Sequence, residues 1–249
     1  AVAILEWDAD CIKSGVPRVL VELVSSQVKL HEPYGGVVPE LAAREHVQNL
    51  PLLYEQALVT ANIKLKDLQM IAVTQRPGLK GCLLVGLCFA KALAYGAKVP
   101  LALINHLEGH LFAFQLMEEA KEVQYPLLAL VVSGGHSLLI LVNAFRDYQL
   151  VAVTRDDAAG EAFDKTATLL GLPYPGVPAL SRAAKDGNRR AFSFPKSLER
   201  DPQSFSFSGF KTAVLREVQR LGDSIGDPNI VRDLAASIEH SIVDTLISK

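Results

Sequence analysis

Met70-Ile-Ala-Val-Thr74, a helical run from about Leu83 to Ala97, and then Leu101-Ala-Leu-Ile104 form the stretch that decides the fold class. Two short apolar runs around a helix-length segment read as buried strands joined by a helix. That alternation argues α/β. Upstream, Pro39 to Ile63 reads as helix, with Pro51 breaking or kinking it. The opening Ala1-Val-Ala-Ile-Leu-Glu-Trp-Asp8 reads as a first strand.

Downstream the pattern changes. Leu127 to Val142 is apolar on both sides of Ser133-Gly-Gly135, which predicts two strands joined by a tight turn. Gln149 to Thr154 reads as a third strand, and the chain turns helical from Asp157. Further helices are expected over Gly209 to Leu221 and from Pro228, where Ile230, Val231, Leu234, Ile238, Ile242 and Leu246 recur at helical spacing. Two openings of strands followed by helices suggest two related subdomains, 1–123 and 124–249. The first strand starts at Ala1 and the last helix reaches Lys249 without a stop signal, so a fragment of a longer protein is expected.

Composition narrows the function classes. Of 249 residues, 49% are apolar and 21% are charged, the balance of an ordinary globular protein. The central apolar run Cys82 to Ala90 ends at Lys91, well short of the roughly 20 residues a membrane span needs. No basic region precedes the first apolar run, so no secretory signal is read. Cys11, Cys82 and Cys88 are odd in number and lack CxxC spacing, which argues against a disulfide framework and for a reducing cytoplasm. With a formal charge of −2, any attraction to nucleic acid has to come from a local patch or from partners.

Five stretches carry candidate chemistry. If Asn105 starts a helix, His106 and His110 lie one turn apart on one face, near enough to share a metal ion; capping or packing is the alternative. Glu108 stands two places after His106 rather than directly after it, so the zinc-peptidase pattern fails. Ser133-Gly134-Gly135 allows close backbone approach to a ligand and amides for phosphate oxygens, or is a plain hairpin turn. In Asp156-Asp-Ala-Ala-Gly-Glu-Ala-Phe-Asp-Lys165 the acids suit a ribose hydroxyl or a metal. Alternatively, Asp157 caps a helix while Glu161 and Lys165 pair at i,i+4. Phe205-Ser-Phe-Ser-Gly-Phe-Lys211 offers hydroxyls and one cation before a helix, and on its own reads as loop and capping. A basic segment, Arg182, Lys185, Arg189, Arg190, Lys196 and Arg200, is interleaved with Phe192 and Phe194 as RNA binding favours. Asp186, Glu199 and Asp201 dilute it toward a solvated surface.

The order of the motifs says more than any one of them. Gly35-Gly-Val-Val-Pro-Glu-Leu-Ala42, Ala72-Val-Thr-Gln-Arg-Pro-Gly-Leu79, His106 to His110, Val132-Ser-Gly-Gly-His136, Asp156 to Lys165, Tyr174-Pro-Gly176 and Phe205 to Gly209 succeed one another along almost the whole chain. This succession resembles the bacterial tRNA N6-adenosine threonylcarbamoyltransferase family (TsaD-like), formerly labelled O-sialoglycoprotein endopeptidase. The resemblance implies an actin-like, Hsp70-like and sugar-kinase-like α/β fold, with two subdomains around a nucleotide cleft.

It implies a metal-dependent transferase that moves threonylcarbamoyl from threonylcarbamoyl-adenylate to N6 of the adenosine after the anticodon, in tRNAs reading ANN codons. His106 and His110 would hold one divalent ion, iron or zinc. Val131, Val132, Ser133, Gly134 and Gly135 would contact the donor, and Asp164, Gly176 and Val177 its nucleotide part. Implied partners are tRNA, a scaffold paralogue and a small ATPase, in the cytoplasm and without a membrane. The alternative is that the chain is itself a non-catalytic scaffold of the same fold, although such paralogues generally lack the two-histidine motif.

The chain departs from the family pattern at Arg76 and at Val177, where the family normally has glycine. The family's acidic first-strand segment is missing, as is its C-terminal portion with an Asn for nucleotide and an Asp for metal. Two His ligands alone leave a zinc site incompletely coordinated.

Overall fold

Alternating aliphatic residues set the strands, and apolar residues three and four apart set the helices. The structure is a computed structural model that describes residues 1–8, 11, 16–117, 123–195, 201 and 203–248. The chain divides into two compact units, Ala1–Val123 and Gln124–Lys249. Each is taken by itself.

In the first unit, β1 (Val2–Glu6) pairs antiparallel with β2 (Arg18–Leu23). One short helical turn follows, α1 (Val28–His31), and then the long α2 (Pro39–Ala61). Pro39 starts α2, where the missing N–H is harmless, and Pro51 sits inside a helix that continues to Ala61. Pro51 therefore does not break the helix. Asn62 closes α2 in the left-handed conformation (φ 54°), which asparagine tolerates better than most residues. Ile4, Val21 and Ala57 form a small core between the hairpin and this helix.

A second, parallel pair joins β3 (Ile71–Arg76) to β4 (Leu101–Asn105), with α3 (Lys80–Ala97) as the crossover between them. The expectation that β3 and β4 are buried strands is corrected. None of their residues is fully buried, and Leu103 and Ile104 are exposed among the described residues. The apolar run around Cys82 also understates its helix. Across 18 residues α3 averages a hydropathy of 1.3, and by length and composition it is one helix that could cross a membrane. Here it packs on β3 and α2.

The second unit holds the larger core. β5 (Leu127–Val132), β6 (Ser137–Ala144) and β7 (Asp147–Thr154) form an antiparallel meander, to which the short β8 (Ser204–Phe205) adds in parallel. β6 is the most buried of these, as its unbroken Leu-Leu-Ile-Leu-Val run requires. Four helices accompany the sheet: α5 (Ala159–Leu169), α6 (Gly176–Ala184), α7 (Ser208–Leu221) and α8 (Pro228–Ile247). α8 buries Leu234, Ile238 and Ile242 completely, at the four-residue spacing of one face. Full burial of each stabilises the fold by about 2 kcal/mol. They meet Leu180 and Ala184 of α6, Val214 and Phe210 of α7, and Leu139 and Ala152 of the sheet in one cluster.

Candidate functional site

The first unit contributes the histidines. β4 runs straight into the short α4 (His106–Phe112) through Asn105, whose Oδ1 accepts the Leu107 N–H at 2.9 Å. This side-chain cap fixes the helix start and puts His106 in its first position. One turn later His110 faces the same way, and the two Nε2 atoms lie 3.1 Å apart. The rings meet edge to face, with centroids 4.4 Å apart.

Two imidazole nitrogens this close either share one proton or present two lone pairs to one cation. Zinc–nitrogen bonds of about 2.0–2.1 Å in a tetrahedral site put two donors roughly 3.3 Å apart, so the observed pair suits a common ion. Among the described residues no group of three His, Cys, Asp or Glu completes such a site. The two histidines thus fit half of a metal site.

The Gly35-Gly-Val-Val-Pro-Glu motif is set by a residue that sequence reasoning overlooked. His31 is 3% exposed, and its Nδ1 accepts the Val38 N–H at 3.2 Å. Its Nε2 approaches Gln27 Oε1 at 3.4 Å. With Gly35 in the left-handed conformation (φ 67°), this bond folds the motif back onto α1 before α2 begins.

In the second unit, the Ser133–His136 connection closes when the Ser133 N–H donates to the His136 carbonyl at 2.8 Å. Ser133 Oγ accepts the Gly135 N–H at 3.3 Å and the His136 N–H at 3.1 Å. Of the amides expected to face a phosphate, those of Ser133 and Gly135 are therefore already engaged within the turn. Beside the turn, Val131 is buried and Val132 is 43% exposed. The turn is fastened to α5 from two sides. The Gly160 N–H donates to the Ser133 carbonyl at 3.2 Å, and the buried Ser137 Oγ accepts the Ala159 N–H at 2.8 Å. A methyl on Gly160 would lie 2.7 Å from that carbonyl and 2.8 Å from Gly134 Cα. Gly160 and Ser137 both escape a reading of sequence alone; the small-residue run Ala158-Ala-Gly160 is the available signal.

The acidic stretch divides its work. Asp157 does not cap α5, whose N-cap position is Ala158. It pairs with Lys165 at 2.7 Å, and Glu161 does so at 2.8 Å. Asp164 Oδ1 accepts the Gly176 N–H at 2.8 Å, tying α5 to the start of α6. A methyl on Gly176 would come 2.5 Å from Asp164 Cα, so this contact requires glycine. Tyr174 next to it is pushed up from its ordinary pKa by burial and then by the Asp164 charge. Val177 follows with 40% of its surface exposed.

Asp156 binds a partner fifty residues away. It accepts from the Ser206 hydroxyl at 2.5 Å, the Phe207 N–H at 2.7 Å, and the Ser208 hydroxyl and N–H at 2.9 and 3.2 Å. Burial alone would raise its carboxyl, but these donors outweigh it and hold the pKa below the ordinary 3.8. Phe205 and Phe207 meanwhile enter the core completely, so the expected loop is a strand end that points hydroxyls at Asp156 and rings inward.

The basic segment loses its aromatic half. Phe192 and Phe194 pack against the core, with Phe194 edge to face on Phe210 at 5.3 Å. Both rings are partly buried there. Arg182, Lys185, Arg189 and Arg190 are exposed. Lys196, Glu199 and Arg200 lie outside the described residues.

By class this is a two-unit α/β protein, with converging imidazoles in one unit and a serine–glycine turn clamped to a helix start in the other. Residues 18–249 match the profile of the family described as tRNA N6-adenosine threonylcarbamoyltransferase, and the chain belongs to that family. A protein of that name from Desulfitobacterium hafniense (strain Y51) is 49% identical over 245 residues, covering 98% of this chain and 71% of the relative. One from Thermodesulfovibrio yellowstonii is 46% identical over 253 residues, covering 99% and 75%. One from Geotalea uraniireducens (strain Rf4) is 47% identical over 232 residues, covering 93% and 66%.

Proposed function

We propose that this chain is the tRNA N6-adenosine threonylcarbamoyltransferase of its source, transferring threonylcarbamoyl from threonylcarbamoyl-adenylate to N6 of the adenosine after the anticodon in tRNAs reading ANN codons. Family membership supports the reaction class, and relatives carrying the transferase name favour it over the non-catalytic scaffold. The structural observation that carries the reading is the 3.1 Å approach of His106 and His110.

The donor is a mixed carbamoyl–phosphate anhydride and is already activated, so no protein nucleophile is required. N6 bonds to the carbamoyl carbon, the carbon–oxygen bond to phosphate breaks, and AMP leaves with the electron pair while N6 loses a proton to solvent. His106 and His110 would hold one divalent ion, iron or zinc, which when bound supplies a Lewis acid for the carbamoyl carbonyl. The Val131–Gly135 segment would lie along the donor, with the Gly134 amide still open to its oxygens. Asp164 Oδ2, the oxygen not bonded to Gly176, suits a ribose hydroxyl, beside Gly176 and Val177.

On this reading the two units are subdomains of an actin-like, nucleotide-binding fold. The protein works in the cytoplasm without a membrane, beside a scaffold paralogue and a small ATPase. The test is transfer from threonylcarbamoyl-adenylate to unmodified tRNA by the metal-loaded chain. His106→Ala and His110→Ala should each lose activity by at least a hundredfold, the scale on which metal-site groups act. Full activity in both variants removes the metal role, and no transfer by the parent chain removes the function.

A further inference from the structure

The parallel register of β3 and β4 runs in step from Ile71 opposite Leu101 to Thr74 opposite Ile104, and then slips. Arg76, not Gln75, comes opposite Asn105. An extra residue on one strand is a bulge, and bulges re-aim the side chains beyond them. Here the slip sets Arg76 one strand spacing, about 4.8 Å, from the backbone of the residue that caps α4 and precedes His106. Four residues later Lys80 opens α3. Both residues are exposed, and neither side chain makes a hydrogen bond or ion pair among the described residues.

Lys80 also stands against local preference. A cation in the first turn faces the positive end of the helix dipole, and that turn of α3 contains no acid. Nor is the helix start free to drift, because a methyl on Gly81 would already come 3.0 Å from Ala43 Cβ on α2. An unpaired cation beside the residue that precedes His106, and a second four residues further on at a cost to its own helix, suit an anionic ligand. A residue that breaks a local rule without structural gain is expected at a functional site. Because the whole chain carries −2, general attraction cannot hold a polyanion here and local cations have to.

We propose that Arg76 and Lys80 grip backbone phosphates of the RNA substrate beside the adenosine presented to His106 and His110. The inference rests on the transferase reading above. Arg76 offers the planar fork that suits a phosphodiester, and Lys80 offers a mobile point charge. The donor's phosphate is assigned above to the Val131–Gly135 segment, so the phosphate left to Arg76 and Lys80 is that of the RNA.

The test uses the full chain and unmodified tRNA, with binding followed by fluorescence anisotropy across a salt series. The variants are Arg76→Gln, Lys80→Gln, both together, and the charge-keeping Lys80→Arg. Each lost contact to a single-stranded phosphate lowers the salt slope by about 0.7, which is about fourfold in affinity at 0.15 M salt. The double variant should bind about fifteenfold more weakly, with the slope reduced by about 1.4. Lys80→Arg should keep the parent slope. Adenine-nucleotide affinity by calorimetry and the thermal unfolding curve should stay as in the parent. A double variant with parent tRNA affinity and slope overturns the proposal. So does one that loses nucleotide affinity and keeps tRNA affinity, because the cations then serve the donor. A parent chain that binds no tRNA at all overturns the transferase reading itself, and this inference with it.

Discussion

Gly160 fastens the Ser133–His136 turn to the start of α5, and replacing it with alanine separates stability from binding. The added methyl would sit 2.7 Å from the Ser133 carbonyl oxygen, 2.8 Å from Gly134 Cα and 2.9 Å from Gly134 N. Comfortable carbon contacts begin near 3.5 Å, so something has to retreat by roughly 0.7 Å. All three obstacles are backbone atoms of a turn held between β5 and β6, and no side-chain rotamer relieves them. Overpacking of this kind costs about 1–3 kcal/mol, and loss of the Gly160 N–H bond to Ser133 adds about 1 kcal/mol. Alanine's better helix propensity returns at most about 1 kcal/mol. Gly160→Ala should therefore destabilise the second unit by about 1–3 kcal/mol.

Gly134→Ala is the matched control. Nothing lies within 4 Å of its added methyl and its φ is not left-handed, so stability should stay within about 0.5 kcal/mol of the parent. Its methyl would nevertheless face whatever lies along the turn. Both variants should lose adenine-nucleotide affinity, but only Gly160→Ala should lose stability. Denaturant unfolding followed by far-UV circular dichroism suits the measurement, because the single tryptophan, Trp7, is in the other unit. A Gly160→Ala protein as stable as the parent, or a Gly134→Ala protein that unfolds more easily than Gly160→Ala, refutes the reasoning.

Gly176→Ala should act in the same direction on the α5–α6 contact, with a loss of about 1–3 kcal/mol, since its methyl meets Asp164 Cα at 2.5 Å and Ala167 Cβ at 2.9 Å. Unfolding that matches the parent curve counts against that contact. Asp156→Ala should cost about 1–2 kcal/mol at pH 7, a figure kept low because Asp156 remains open to water. Its folded pKa is depressed, so its contribution is complete above about pH 3.8 and fades as the pH falls through the lower folded value. Stability curves of parent and variant should converge in strong acid, and a constant gap down to pH 2 would show that the charge is not what Ser206, Phe207 and Ser208 recognise.

What could be read from the sequence depends on how far apart the interacting groups lie along the chain. The approach of His106 and His110 is legible because it needs only one helical turn and a cap at Asn105, both local. The Glu161–Lys165 pair is legible for the same reason. Periodicity likewise places α8, whose buried face is the recurring Leu234, Ile238 and Ile242. Contacts made through tertiary register carry no such periodic sign. Asp156 reaches Ser206 across fifty residues, Gly160 meets Ser133 across twenty-seven, and Ser137 caps a helix that begins twenty-two residues later.

Each of these satisfies a backbone or hydroxyl group that would otherwise be unpaired, and only the folded chain determines which one. The same limit explains the two readings that fail locally. Asp157 stands one residue before the cap position, where Lys165 offers it a charged partner at 2.7 Å while Ser137 takes the helix amide from outside. Phe192 and Phe194 look like a stacking platform until α7 and α8 bring a core to them. An aromatic beside an arginine is ambiguous by composition, and burial resolves it: the rings gain more by joining Phe210 and Leu234 than by waiting in water for a base. On the reading proposed above, RNA recognition then rests on exposed cations rather than on these rings, and Arg76 and Lys80 are two of them.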